Sequence, residues 1–134
     1  MTRDEIIKAL EDGITSWGMY TVNWDAMEAL ETVEEPLTYV QPILDIIASH
    51  PDIDFGTPGE LVYFVEKFSN QGYEELLIES VKQSPTPHNI WMLHRCYNDP
   101  SDPRHDTYKS VIEKIRNNPD THEDIIKAIA EFNW

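Results

Sequence analysis

Proline set behind residues that cap helices is the strongest constraint on how this chain can fold. Prolines occupy nine positions against five glycines, and most follow Thr, Ser, Asp or Asn, as in Thr57-Pro58, Ser84-Pro85, Thr86-Pro87 and Asn118-Pro119. A proline has no N–H to donate inside a helix but is tolerated in the first turn, where that group has no partner in any case. Between these corners apolar residues recur every three or four positions, and no stretch sustains the two-residue alternation of a half-buried strand. The expected fold is therefore all-α: about eight short helices in antiparallel hairpins, forming a HEAT-like compact stack. Connections of roughly three to eight residues favour antiparallel neighbours.

Individual segments carry their own signals. Thr2-Arg3-Asp4-Glu5 has the capping-box form and opens a helix through Ile6, Ile7 and Leu10 to near Gly13. Asn23 caps a second helix, running to Pro36, whose buried stripe is Ala26, Met27, Leu30 and Val33 and whose outer face aligns Glu28, Glu31 and Glu35. Tyr39 to Ser49 turns Val40, Ile43, Leu44 and Ile47 inward. Thr57-Pro58-Gly59-Glu60 reads as a second capping box, opening a helix from Pro58 to Ser69. Tyr73 to Gln83 follows, and after Pro85 and Pro87 comes the most apolar segment, through Ile90, Trp91, Met92, Leu93 and Tyr97, which predicts a central position. Asp102 or Asp106 opens the next helix, with Tyr108, Val111, Ile112 and Ile115 inward, and Thr121 caps the last. Trp91, Tyr63 and Tyr108 are expected in the core.

Length fits a single domain over residues 1–134, and hydrophobic residues at 40% exclude the composition of a disordered chain. The formal net charge is −15, and it is uneven. Residues 1–60 hold thirteen carboxylates and only Arg3 and Lys8, so −11 of the charge lies there. A surface of one sign repels nucleic acid and anionic lipid and attracts a basic protein. The longest apolar runs are far shorter than the ~20 residues that cross a bilayer. One cysteine, Cys96, excludes an internal disulfide, and the polar Met-Thr-Arg-Asp-Glu start points to the cytoplasm.

No motif carries catalysis: there is no Gly-x-Ser-x-Gly, no phosphate-cradling glycine loop and no Ser, His and Asp constellation. The expectation is a protein that is not an enzyme and needs no cofactor. His88, His94 and Cys96 do not make a metal site, because residues two apart on a helix face different ways and no fourth ligand completes the set. Asp52-Ile53-Asp54-Phe55-Gly56 lacks the later oxygens of a calcium loop and reads as a solvated turn.

What remains is a recognition surface. Trp17, Tyr20, Trp24 and Tyr39 stand in or beside the acidic region, where a ring among carboxylates anchors a partner. The expected contact set is Glu28, Glu31, Glu34, Glu35, Asp45, Asp52 and Asp54, with Trp24 and Tyr39 as its anchors.

The stretch Asp54-Phe55-Gly56-Thr57-Pro58-Gly59-Glu60-Leu61-Val62-Tyr63-Phe64-Val65-Glu66, with Ser80 to Thr86 and Trp91-Met92-Leu93-His94-Arg95 after it, resembles helical immunity proteins. These belong to bacterial polymorphic-toxin and contact-dependent growth inhibition systems. The likeness spans residues 36–98, and its most specific part is Pro-Thr-x-x-x-x-Trp-Met-Leu-x-Arg, where relatives often carry Asn at the His94 position. The string is mostly apolar or capping, so it reads as packing and not as a contact site. The resemblance implies a protein made beside a cognate toxin and neutralising its C-terminal toxin domain by tight non-covalent binding, one to one. Charge agrees with this: a nuclease, with a ribonuclease as first expectation, presents a basic cleft that an acidic surface fills. The alternative is an acidic adaptor or nucleic-acid mimic of another bacterial complex.

Overall fold

The computed structural model describes all 134 residues. It contains eight α-helices and no sheet: α1 (Arg3–Glu11), α2 (Trp24–Leu30), α3 (Val40–Ala48), α4 (Glu60–Glu66), α5 (Tyr73–Gln83), α6 (Pro87–Tyr97), α7 (His105–Asn117) and α8 (Glu123–Ala130), with a 3-10 turn at Pro36–Tyr39 before α3. Consecutive pairs pack together, and the odd-numbered helices α1, α3, α5 and α7 stack one on the next, as α6 stacks on α8. That is the expected layered hairpin stack, although the α1–α2 and α3–α4 links, residues 12–23 and 49–59, are longer than the three to eight residues expected. The buried apolar residues join into one cluster of 29. No helix is long and apolar enough to cross a membrane.

α6 is the centre of the stack, touching α3, α5, α7 and α8. Its start is set by a capping box in which Thr86 Oγ1 accepts the Asn89 N–H (3.1 Å) and Asn89 Oδ1 accepts the Thr86 N–H (2.8 Å). The amide of Asn89 also donates to the Ser84 carbonyl (2.9 Å), so this buried side chain joins the α5–α6 link to the helix it opens. Met92 and Leu93 are fully buried, while Arg95 forms a two-bond ion pair with Glu66 of α4 (2.7 and 2.9 Å) and lies over the Trp91 ring. The Trp-Met-Leu-x-Arg string is thus spent on packing.

Several ends differ from their sequence signals. α2 stops at Leu30 because its last turn tightens, with Glu31 and Thr32 N–H groups reaching back three residues to Glu28 and Ala29. Glu35 then takes a left-handed conformation (φ 52°) before Pro36, so Glu28, Glu31 and Glu35 do not share a helix face. Thr57 caps nothing. The chain turns through Gly56 and Gly59, both at positive φ, and folds so tightly that a Cβ on Gly59 would overlap the Phe55 carbonyl oxygen; α4 therefore starts at Glu60. The Thr121 hydroxyl donates to the Ile115 carbonyl (2.7 Å), and His122 caps α8 instead, its Nδ1 accepting the Asp124 N–H (3.1 Å). Neither Asp102 nor Asp106 caps α7. Tyr63, expected in the core, is 51% exposed, whereas Tyr108 is buried.

Asp102 does other work. Its carboxylate is buried and accepts the Tyr108 hydroxyl (2.6 Å) and both the backbone N–H and the guanidinium of Arg104 (2.9 and 3.0 Å). Arg104 also reaches Glu75 of α5 (2.9 Å), which joins the α6–α7 link to the stack. Burial opposes the charge on Asp102, but these donors prevail and hold its pKa below 3.8. A depressed folded-state pKa gives stability that is complete above the unfolded value and is lost as pH falls through the folded one. Asp102→Asn should therefore lower unfolding free energy by about 2 kcal/mol at neutral pH, with the gap to the parent narrowing below pH 3.8. Urea denaturation of both proteins across that range checks it.

Candidate functional site

The acidic half of the chain has almost nothing to neutralise it. Glu28, Glu31, Glu34, Glu35, Asp45, Asp52 and Asp54 are all exposed, and none joins an ion pair. The two cations of this half are engaged elsewhere. Arg3 bonds to Thr38 and sits 4.7 Å from the centre of the Tyr39 ring, and Lys8 pairs with Asp12 (3.3 Å). Asp45 accepts a hydrogen bond from Gln41 (2.8 Å) and faces a hollow beside Ile7 and Glu11 of α1.

The expected anchors separate. Trp24 is 64% exposed at the start of α2, but Tyr39 is 5% exposed, one of the core residues, with its ring under Arg3. Tyr39 is thus withdrawn from the contact set. Its position at the end of the 3-10 turn, just before α3, directs the ring inward with Val40. Tyr20 is also committed inside, packing on Phe55 and donating its hydroxyl to the Leu10 carbonyl (2.6 Å).

The link between α1 and α2 sets beside Trp17, already a candidate from the sequence, a residue the sequence pattern did not single out. The Thr21 N–H donates to the Gly13 carbonyl (2.8 Å), the Tyr20 N–H to the Asp54 carbonyl (3.0 Å) and the Asp54 N–H to the Gly18 carbonyl (2.7 Å). The Thr15 hydroxyl closes the turn on the Met19 carbonyl. This brings Asp52 and Asp54 beside the turn that carries Trp17, 72% exposed, and Met19, 48% exposed. Periodicity arguments do not apply to a link with no repeat, so Met19 left no signal in the sequence.

Asp52 and Asp54 also wall an open groove of about 480 Å³, completed by His88 and Trp91 of α6 and by Asp124, Lys127 and Glu131 at α8. Its one ammonium, Lys127, pairs with Glu123 (3.2 Å). A hollow of about 750 Å³ lies between α5, α7 and α8 on an aliphatic floor, where Lys82 and Lys114 balance Asp106 and Asp120. It shares no residue with the acidic set.

His88 packs between Phe55 and Trp91, and its Nε2 is buried without a partner. Burial pushes its imidazole from 6.5 down to about 4 against the pull of Asp54. Burial likewise raises the Cys96 thiol to about 12, which makes it a poor nucleophile. His94 stacks on Phe132 (4.4 Å), and no three His, Cys, Asp or Glu side chains are grouped to hold a metal ion.

No protein-family model matches the chain, and no curated protein or solved structure does either.

Unfolded His88 takes a proton below 6.5 and the folded residue only near 4, so its contribution is present above 6.5 and falls away between those values. Replacing it by Phe, which keeps the packing and removes the titration, should flatten the loss of stability across that window by on the order of 2 kcal/mol. Chemical denaturation of both proteins from neutral pH to pH 4 measures the difference.

Proposed function

We propose that this protein is an immunity protein: it binds a basic protein toxin, a nuclease and first of all a ribonuclease, and blocks the toxin's substrate cleft with its acidic N-terminal half. The observation that carries this reading is the set of seven exposed carboxylates without a single ion pair among them. Unpaired surface charge of one sign repels itself and destabilises the compact state; a cationic partner relieves that repulsion. A cleft built to hold a polyanion offers that partner, because its Lys and Arg side chains are spaced for phosphates and exchange them for carboxylates. Steering between opposite fields brings association toward ~10⁸ M⁻¹s⁻¹ at low salt, which suits an inhibitor of a lethal enzyme.

The resemblance over residues 36–98 supports the same assignment. On this reading the helical stack is scaffold, and the partner meets α2, the segment that follows it and the Asp52–Asp54 loop. The protein acts without a cofactor, one copy to one toxin domain.

The decisive experiment uses the toxin domain encoded in the adjacent reading frame. The purified chain should bind it and abolish its nuclease activity, with affinity that falls steeply as salt rises. Changing Glu28, Glu31 and Glu35 together to Lys should weaken binding ~30-fold or more and flatten that salt dependence. Unchanged affinity and an unchanged salt slope would place the contact surface elsewhere, and no binding by the parent protein would refute the assignment.

A further inference from the structure

We infer that the Trp17–Met19 turn is the docking point for an arginine-bearing protein surface, with the guanidinium laid on the Trp17 indole and Asp52 and Asp54 beside it. The inference rests on the basic-partner reading above and narrows it to one place and one side-chain chemistry.

Of the six large hydrophobic residues left exposed, Trp17 and Met19 stand two residues apart on this one turn. An exposed indole and an exposed thioether on the same turn offer a partner apolar surface to bury. The backbone under them is tied down by the bonds from Thr21 to Gly13, Tyr20 to Asp54 and Asp54 to Gly18. A partner therefore meets a turn whose ordering has already occurred, which lowers the entropic cost of binding.

Charge selects the occupant. Asp52 is exposed and its side chain makes no hydrogen bond; Asp54 is exposed and uses one oxygen on the Gly56 N–H (2.8 Å). The turn itself, residues 12–24, holds no Lys or Arg. Anionic lipid and nucleic acid are repelled by this surface, and a second copy, at −15, is repelled as well. Among cations, arginine suits the site better than lysine, because its planar, weakly hydrated guanidinium stacks on an indole and presents a fork of donors to carboxylates.

The test uses tetra-arginine and tetra-lysine peptides and the four indole N–H signals in nuclear magnetic resonance spectra. Tetra-arginine should move the Trp17 signal first and furthest, in a saturable way, while those of Trp91 and Trp134 stay in place. Tetra-lysine should bind about threefold more weakly or worse. Asp52→Asn with Asp54→Asn should weaken tetra-arginine about fivefold, and Trp17→Ala should remove the preference for arginine with a nearly unchanged melting curve, since Trp17 is 72% exposed. A Trp17 signal that stays still, or moves no more than those of Trp91 and Trp134, overturns the inference. So does a Trp17→Ala variant that keeps parental affinity for both tetra-arginine and the neighbouring toxin domain, although the immunity reading then stands. Site-specific peptide binding without any binding of that toxin supports the docking point and removes the immunity reading.

Discussion

The side chain of Asn89 holds the rest of the molecule in order. It is buried where α5 hands over to α6, and it satisfies the Thr86 N–H and the Ser84 carbonyl at once while Thr86 receives its own backbone N–H. Those groups lie in a proline corner with no ladder to join, and the buried ones, on Thr86 and Asn89, would each cost ~1–3 kcal/mol if left unpaired. Satisfying them fixes where α6 begins and so which of its residues face α3, α5, α7 and α8. A helix packed on several sides has little freedom to rotate, and its neighbours take their places around it.

Around that helix the interior is aliphatic and conventional, and the polar ties sit where the chain changes direction. Asp102, Arg104 and Tyr108 hold the α6–α7 link to α5, and Arg95 with Glu66 joins α6 to α4. These links belong to the C-terminal half, where the cations are. In the N-terminal half the carboxylates are left to solvent, and the links carry exposed side chains instead: Trp17 and Met19 after α1, and Asp52 and Asp54 after α3. Scaffold and presented surface are thus largely divided along the chain, and within the N-terminal half the two links meet where Met19 lies beside Asp54.

Much of the architecture was legible because helical spacing is a local property. The box at Thr2, the cap at Asn23, and α5 from Tyr73 to Gln83 all appear where the residues place them. The misreadings share a cause. Thr57 and Thr121 have capping side chains, but a cap forms only if the backbone arrives extended at that residue, and two glycines in one case and the Ile115 carbonyl in the other took the chain elsewhere. Tyr39 and Tyr63 exchanged their expected environments because an amphipathic aromatic suits either setting, and the choice depends on which neighbour covers it. The acidic contact set was visible as charge, but not its division among α2, α3 and two loops.

By itself, then, the sequence determined an all-helical chain, the faces that most of its helices bury, and a strongly acidic first half, because periodicity, capping and charge depend on residues within a few positions of one another. Only the tertiary structure decided that Asp52 and Asp54 lie beside Trp17 and Met19, that Tyr39 is interior and that Glu35 leaves the line of Glu28 and Glu31. Those outcomes hang on hydrogen bonds between segments some thirty-five residues apart, such as Tyr20 to Asp54, and on a backbone reversal at Glu35. Pairings at that distance are selected by the packing of the whole stack and leave no period in the chain.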